Sequence, residues 1–275
     1  MVGQIPAEAR TGRVVFVGAG PGAPDLLTLR GARVIGAADV VVWAASLVHS
    51  GVLAHARADA EVVDSSELTV EDMVLLYERA ARGGQLVARV HSGDPSLWGA
   101  VQEQVERARA SGLQVEIVPG VSAHAALAAV AQRELTVPEV AQSVILTRLG
   151  GGKTPMPERE SIREFARFGT TMAIFLSAAR ARQLQDELLE GGYAQDTPVV
   201  IGYRVTWADE LVVHASVATL AETVRTHRLW KHTLFLIGPA LGSAGTRSHL
   251  YHPGHFHGFR RADPVARRAL RRGRA

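Results

Sequence analysis

Apolar positions along the chain fall into short, β-branched runs separated by amphipathic stretches. Val14–Val17, Asp39–Ala45 (DVVVWAA), Gln85–Val90 (QLVARV) and Gln114–Val118 (QVEIV) have the length and branching of strands. Helix signals lie between them. Thr28 is an N-cap for a helix starting near Leu29, and Thr69 precedes an amphipathic Glu71–Arg82. Ala100–Ala110 and the alanine-rich Ala125–Ala131 also read as helices. Strands alternating with helices imply parallel pairing. The second half changes character. Its main strands are Gln142–Thr147, Thr171–Leu176, Pro198–Tyr203 and Thr233–Ile237, with Glu210–Ala215 as a further strand and Ala218–Arg225 as a helix. The pattern predicts the α/β class. Two α/β domains are expected, 1–122 and 123–250, followed by a His/Arg-rich tail, 251–275.

The first strand runs into Gly18-Ala19-Gly20-Pro21-Gly22. Glycines let backbone turn sharply and approach a ligand, because no Cβ intervenes. Gly18-x-Gly20-x-x-Ala23 satisfies the relaxed dinucleotide fingerprint. That fingerprint also expects an acidic residue at the end of the second strand. Here the position reads Trp43-Ala44-Ala45-Ser46, without a carboxylate. Pro21 has no N–H to give a pyrophosphate, and Asp25 would repel one. The loop suits a ligand without phosphates. Two more strands end in glycine-containing loops, at Gly93–Pro95 and Pro119–Ser122, and the three loops are expected to line one cleft.

Composition narrows the classes. There is no cysteine, hence no disulfide and no thiol chemistry. No apolar run reaches the roughly 18 residues needed to span a bilayer, and the N-terminus lacks a signal-peptide core. A cytoplasmic protein with no membrane partner is expected. The whole chain carries +3. Arg260–Ala275, with seven arginines and one aspartate, carries +6, which leaves −3 for Met1–Phe259. Basicity therefore belongs to the tail, whose arginines read as disordered and solvated. No interleaved aromatics offer to stack bases, so no nucleic-acid partner is expected. GGGKT (Gly150–Thr154) resembles part of a phosphate loop. It lacks the earlier glycine and leads into prolines rather than a helix.

VGAGPGAPDLLTLRG, SGDPSLWG and VPGVSA, in this order and spacing, resemble the tetrapyrrole methylases over about Arg13 to Arg260. Within that family, Glu134–Arg148 and the ending SHLYHPGHFHGFR are most similar to the enzymes that act on precorrin-4. The resemblance implies two α/β domains with S-adenosylmethionine held in a cleft between them, and a homodimer. It implies methylation of precorrin-4 at ring carbon C-11, giving precorrin-5, in cobalamin synthesis. Carried over by motif, Pro21 lines the cofactor side of the first loop. Ser92, Gly93, Asp94 and Leu97 make the second contact, and Ser122 and Ala123 the third. Leu176 falls on an apolar cofactor contact and Val205 on a backbone one. The family's sirohaem branch has an acidic base after the second strand. Trp43–Leu47 lacks one, so no catalytic residue is transferred.

Substrate carboxylates call for arginines, with Arg148 and Arg204 as candidates beside Tyr203 and His91. His249, His252, His255 and His257 match no helical metal pair, and no metal is expected there. Another corrin position, an NAD-dependent oxidoreductase and a non-catalytic binding protein stand as alternatives.

Overall fold

A computed structural model describes residues 11–151, 154–245 and 248–272. Gly152 and Lys153 of the GGGKT stretch, most of the N-terminal lead and the last three tail residues lie outside the described residues. Contacts divide the chain into two units. Unit 1 runs to Val130 and takes back Gly202–Val212, whereas unit 2 is Ala131–Ile201 with the chain from Val213 onward. The division thus falls later than the expected edge at 122, because the helix after Ala123 stays with unit 1. A late segment also returns to it.

Unit 1 contains β1 (Arg13–Gly18), α1 (Leu29–Ala37), β2 (Val40–Trp43), β3 (Glu61–Asp64), α2 (Val70–Arg82), β4 (Leu86–His91), α3 (Val101–Ala110), β5 (Gln114–Val118) and α4 (Ala123–Val130). The strands form one sheet in the order β3-β2-β4-β1-β5, with every pairing parallel. The inner strands of a parallel sheet are buried on both faces, which is why β1 and β2 read as continuous apolar runs. Val14, Phe16, Val40, Val42 and Val87 pack against Met73, Tyr77, Val101 and Val105 of α2 and α3. The alternate residues Val15, Val17, Val41, Ala88 and Val90 pack with Ile35 of α1 and Val52.

Helix starts follow their caps. The Thr28 hydroxyl accepts from Gly31 N, and Thr69 and Asp72 form a reciprocal capping box. The second strand is shorter than its sequence suggests. It stops at Trp43, since Leu47 and Val48 donate back to Ala44 O and turn the chain. The short edge strand β3 was not expected.

The remaining elements are β6 (Val144–Arg148), α5 (Ile162–Ala166), β7 (Thr171–Phe175), α6 (Ala181–Glu190), β8 (Pro198–Tyr203), β9 (Leu211–Ser216), α7 (Leu220–His227), β10 (Thr233–Ile237) and α8 (Pro264–Arg272). The second sheet has the order β6-β7-β10-β8-β9, with β6 and β7 parallel and β7 and β10 antiparallel. The tail, expected to be solvated coil, carries α8, and Gly254 packs against Ala266 and Arg267. No described helix is long and apolar enough to cross a membrane.

Candidate active site

Strand order places the site. β1 leads through α1 to β2, on one side of β4, and α1 covers one face of the sheet. β4 leads through α3 to β5, on the far side of β1, and α3 covers the other face. The neighbouring strands β1 and β4 therefore send their chains in opposite directions. A crevice opens outside the carboxyl ends of strands at such a switch point, and ligands bind there. The loops after β1, β4 and β5 are the three glycine loops, so the structure brings them together as expected.

They are knitted by backbone. Gly20 N donates to Gly93 O at 3.2 Å and Gly93 N to Gly20 O at 2.8 Å, while Ala19 N donates to His91 O. Gly93 has φ +65°, which favours glycine. The third loop approaches at van der Waals limits: a Cβ on Gly120 would lie 2.2 Å from Gly93 O and 2.7 Å from Gly18 Cα. Asp94 ties the second loop to the third. Its Oδ2 accepts from Gly120 N at 2.8 Å, and its Oδ1 accepts from Ser96 N and the Ser96 hydroxyl. Burial pushes the Asp94 carboxyl up, but the hydrogen bonds from Ser96 and Gly120 outweigh that push and hold it below its ordinary range. Ser122 Oγ lies 2.9 Å from His124 Nδ1, and Ala123 opens α4.

The connection between β8 and β9 belongs to unit 1 and completes this edge. Thr206 Oγ1 accepts from Ala23 N at 2.9 Å, and Trp207 Nε1 donates to Pro21 O at 3.1 Å. Val205 is buried between Arg204 (φ +43°) and Thr206 (φ +70°). Among the described residues, its own N–H and C=O make no hydrogen bond. Ala19, Gly20 and Ala23 thus spend their N–H groups inside the protein, and Pro21 has none. Phosphate sites at such loops depend on free, converging N–H groups.

Comparison with known proteins now decides the family. Residues 13–221 match the family described as Tetrapyrrole (Corrin/Porphyrin) Methylases. The chain belongs to this family. It is 39% identical over 251 residues to the cobalt-precorrin-4 C(11)-methyltransferase of Methanocaldococcus jannaschii, covering 91% of this chain and 96% of that protein. It is 43% identical to the precorrin-4 C(11)-methyltransferase of Pseudomonas aeruginosa, covering 90% and 98%. A solved cobalt precorrin-4 methyltransferase superposes with TM-score 0.82 at 40% identity, covering 87% of this chain and 99% of that one. A uroporphyrin-III C-methyltransferase from Thermus thermophilus, complexed with S-adenosylhomocysteine, gives 0.70 at 30% identity, covering 84% and 99%.

Within this tetrapyrrole methylase the expected site residues fare differently. Pro21, Gly93 and Asp94 lie on the loops joined at the switch point and Val205 on the connection bonded to the first of them, with Ser92 exposed and Leu97 half-buried in the second loop. Leu176 lies in unit 2 just past β7, 70% exposed and at φ +51°. Arg148, also in unit 2, donates through Nη1 to Thr154 O, Thr154 Oγ1 and Leu149 O. Its Nε and Nη2 are unengaged among the described residues. Tyr203 is half-buried at the end of β8.

Two substrate candidates, Arg204 and His91, have other engagements within unit 1. Arg204 is committed within the chain: Nε lies 2.8 Å from Asp209 Oδ1, an ion pair without an aligned N–H···O bond, and Cζ sits 4.2 Å over the Trp207 ring. His91 is 8% exposed and sits on the α2/α3 face below its loop, with its ring 5.8 Å from Phe16. It immediately precedes the Ser92–Leu97 loop and is largely shielded from solvent. Two of the tail histidines serve turns. His252 Nδ1 accepts from Gly254 N and His257 Nδ1 from Phe259 N. No three described His, Asp or Glu side chains group to hold a metal.

Burial, with the nearby Arg89 charge, pushes the His91 imidazole down to about 3. Unfolding restores a value near 6.5. The neutral ring therefore contributes its full stability above pH 6.5 and loses it as pH falls from there toward 3. The expected slope from this one group is about 1.4 kcal/mol per pH unit. His91 Nε2 has no partner to lose, so H91L should fold near neutral pH and show a flatter fall in denaturant stability between pH 6 and 4. Parallel curves for the two proteins would refute this account of His91.

The sequence offered no sign of Thr206 or Trp207, whose partners lie more than 180 residues away. It also passed over Asp64 at the end of β3, whose Oδ1 accepts from Ala45 N and Ser66 N.

Proposed function

We propose that this chain is an S-adenosylmethionine-dependent methyltransferase that methylates precorrin-4 at C-11, giving precorrin-5, in cobalamin biosynthesis. The names of its relatives support the substrate and position. The observation that carries the cofactor class is the Gly18–Ala23 loop, where the Ala19, Gly20 and Ala23 N–H groups are spent on His91 O, Gly93 O and Thr206 Oγ1 and Pro21 has none. Such a loop suits a zwitterionic ligand with no phosphate. In unit 1, Pro21, Ser92, Gly93, Asp94, Leu97, Ser122, Ala123 and Val205 would hold it. Leu176 rests on the family resemblance alone.

When bound, S-adenosylmethionine supplies a methyl group already activated on sulfonium, so a substrate carbon forms the new C–C bond while the C–S bond breaks and its electron pair stays on sulfur. The protein's task is to hold the partners in line and exclude water. Such positioning lowers a barrier by up to about 7–11 kcal/mol. Asp64 stands beside Ala45, where the family's sirohaem branch has its base. Hydrogen bonds from Ser66 and Ala45 lower its pKa and make it a poor proton acceptor. We assign no general base. Arg148 and Tyr203 are the substrate-facing candidates. A cytoplasmic homodimer is also proposed, and light scattering should give twice the 29.4 kDa chain mass.

The test is calorimetric titration with S-adenosylhomocysteine and, in parallel, NAD. Binding of the first with a Kd on the order of micromolar, and none of the second, is expected. Turnover with precorrin-4 and its cobalt complex then identifies the substrate form. NAD binding without S-adenosylhomocysteine binding would move the protein to the oxidoreductases.

A further inference from the structure

We propose that the Arg204–Glu210 connection is a strap that fixes Pro21 against Val205, with Thr206 and Trp207 as positioning residues for the cofactor. The proposal rests on the methyltransferase reading above, and all its residues lie in unit 1.

The strap is closed on itself before it touches the loop. Thr206 N donates to Glu210 Oε2 at 2.6 Å, Trp207 N to Arg204 O at 2.9 Å and Glu210 N to Trp207 O at 3.1 Å. The Arg204 guanidinium lies over the Trp207 ring and is paired with Asp209, and the His49 ring is 5.2 Å from Trp207. Trp207 is thereby held by a charge, a neighbouring ring and its own backbone. Thr206 at φ +70° is a genuine outlier for a β-branched residue. Residues held in sparsely populated backbone regions cluster where geometry serves function.

What this rigid piece grips is the first glycine loop. Thr206 takes the Ala23 N–H, and Trp207 gives its indole N–H to Pro21 O. Gly22 is the surface it closes on, since a Cβ there would lie 2.3 Å from Trp207 Cδ1 and 2.8 Å from Thr206 Oγ1. The two left-handed residues on either side of Val205 shape the turn closed by Trp207 N on Arg204 O, and the Val205 N–H and C=O take no part in that closing bond. One element therefore sets Pro21 and leaves the Val205 N–H and C=O available at the same edge. Neither Thr206 nor Trp207 needs to touch the cofactor for this.

Three variants test the strap. T206V removes the acceptor for Ala23, W207F removes the indole N–H together with the ring edge that lies against Gly22, and T206S keeps the hydroxyl. T206V and W207F should each weaken S-adenosylhomocysteine binding about tenfold, with T206S within about twofold of the unaltered protein. In steady-state assays the KM for S-adenosylmethionine should rise while kcat changes by less than about threefold. A purely structural role would lower the melting temperature and leave Kd unchanged in folded samples, and that result overturns the proposal. If T206V does not fold, W207F carries the same comparison. Failure of the unaltered protein to bind S-adenosylhomocysteine would remove the methyltransferase reading, and the strap's role with it.

Discussion

Gly120→Ala should cost about 3 kcal/mol of stability, at the upper end of what overpacking does, and should weaken S-adenosylhomocysteine binding about a hundredfold. The added methyl carbon has nowhere to go. Its three nearest neighbours are Gly93 O at 2.2 Å, Gly18 Cα at 2.7 Å and Gly18 C at 2.8 Å, all backbone atoms at the ends of paired strands. Side chains can rotate aside, but these atoms move only if the loops separate. Gly18→Ala meets the same contact from the other side, with Gly120 Cα at 2.5 Å and Gly93 O at 2.7 Å. Once the loops have been forced apart, the second substitution should cost much less than it does alone. Sites in contact are expected to be non-additive in this way. Denaturant curves and calorimetry on the two single variants and the double variant would check this. Full additivity, or an unaltered Kd in Gly120→Ala, would show that the close approach does not shape the site.

Asp94→Asn is expected to lower stability by about 2 kcal/mol and cofactor affinity by about thirtyfold, a loss of charge-assisted hydrogen bonds at nearly constant shape. Asp94 receives donors on both oxygens: Gly120 N on one, Ser96 N and the Ser96 hydroxyl on the other. An amide keeps one acceptor and turns its NH2 toward a donor. The contribution of the carboxylate has a definite pH window. Its folded pKa lies below the ordinary value, so its stabilisation is complete above about pH 4 and disappears only as pH falls through that lowered pKa. The stability gap between the two proteins should hold from pH 8 to 5 and close below 4. A gap that closes near neutrality would identify some other titrating group.

Much of the fold was legible because one physical rule generates it. Strands buried on both faces must be apolar at successive positions, and β1 from Val14 to Val17 and β2 from Val40 to Trp43 are, whereas β4 interrupts its run with Arg89 and His91. The glycine loops were legible for a similar reason, since only glycine tolerates the Gly18–Gly120 approach. β3 was not, because Glu61–Asp64 is a four-residue edge strand, mostly exposed and acidic at both ends. Its pairing with β2 supplies what its own pattern lacks. Arg204 stands just past a strand end, a fitting position for a substrate contact. Sequence position cannot reveal that Asp209 and Trp207 already occupy its guanidinium. His91 shows the opposite limit. Period-two alternation along β4 puts it on the same buried face as Val87, and its polarity concealed that simple count.

The distance along the chain between Ala23 and Thr206 also bears on how the protein is made. The loop emerges early in synthesis, but its Ala23 N–H and Pro21 carbonyl must wait 183 and 186 residues for their partners. At 5–20 residues per second the delay is about 10–40 s. Throughout that interval the nascent first sheet displays a glycine loop whose two polar groups are satisfied only by water. The first glycine loop to leave the ribosome is therefore among the last parts of the protein to be finished.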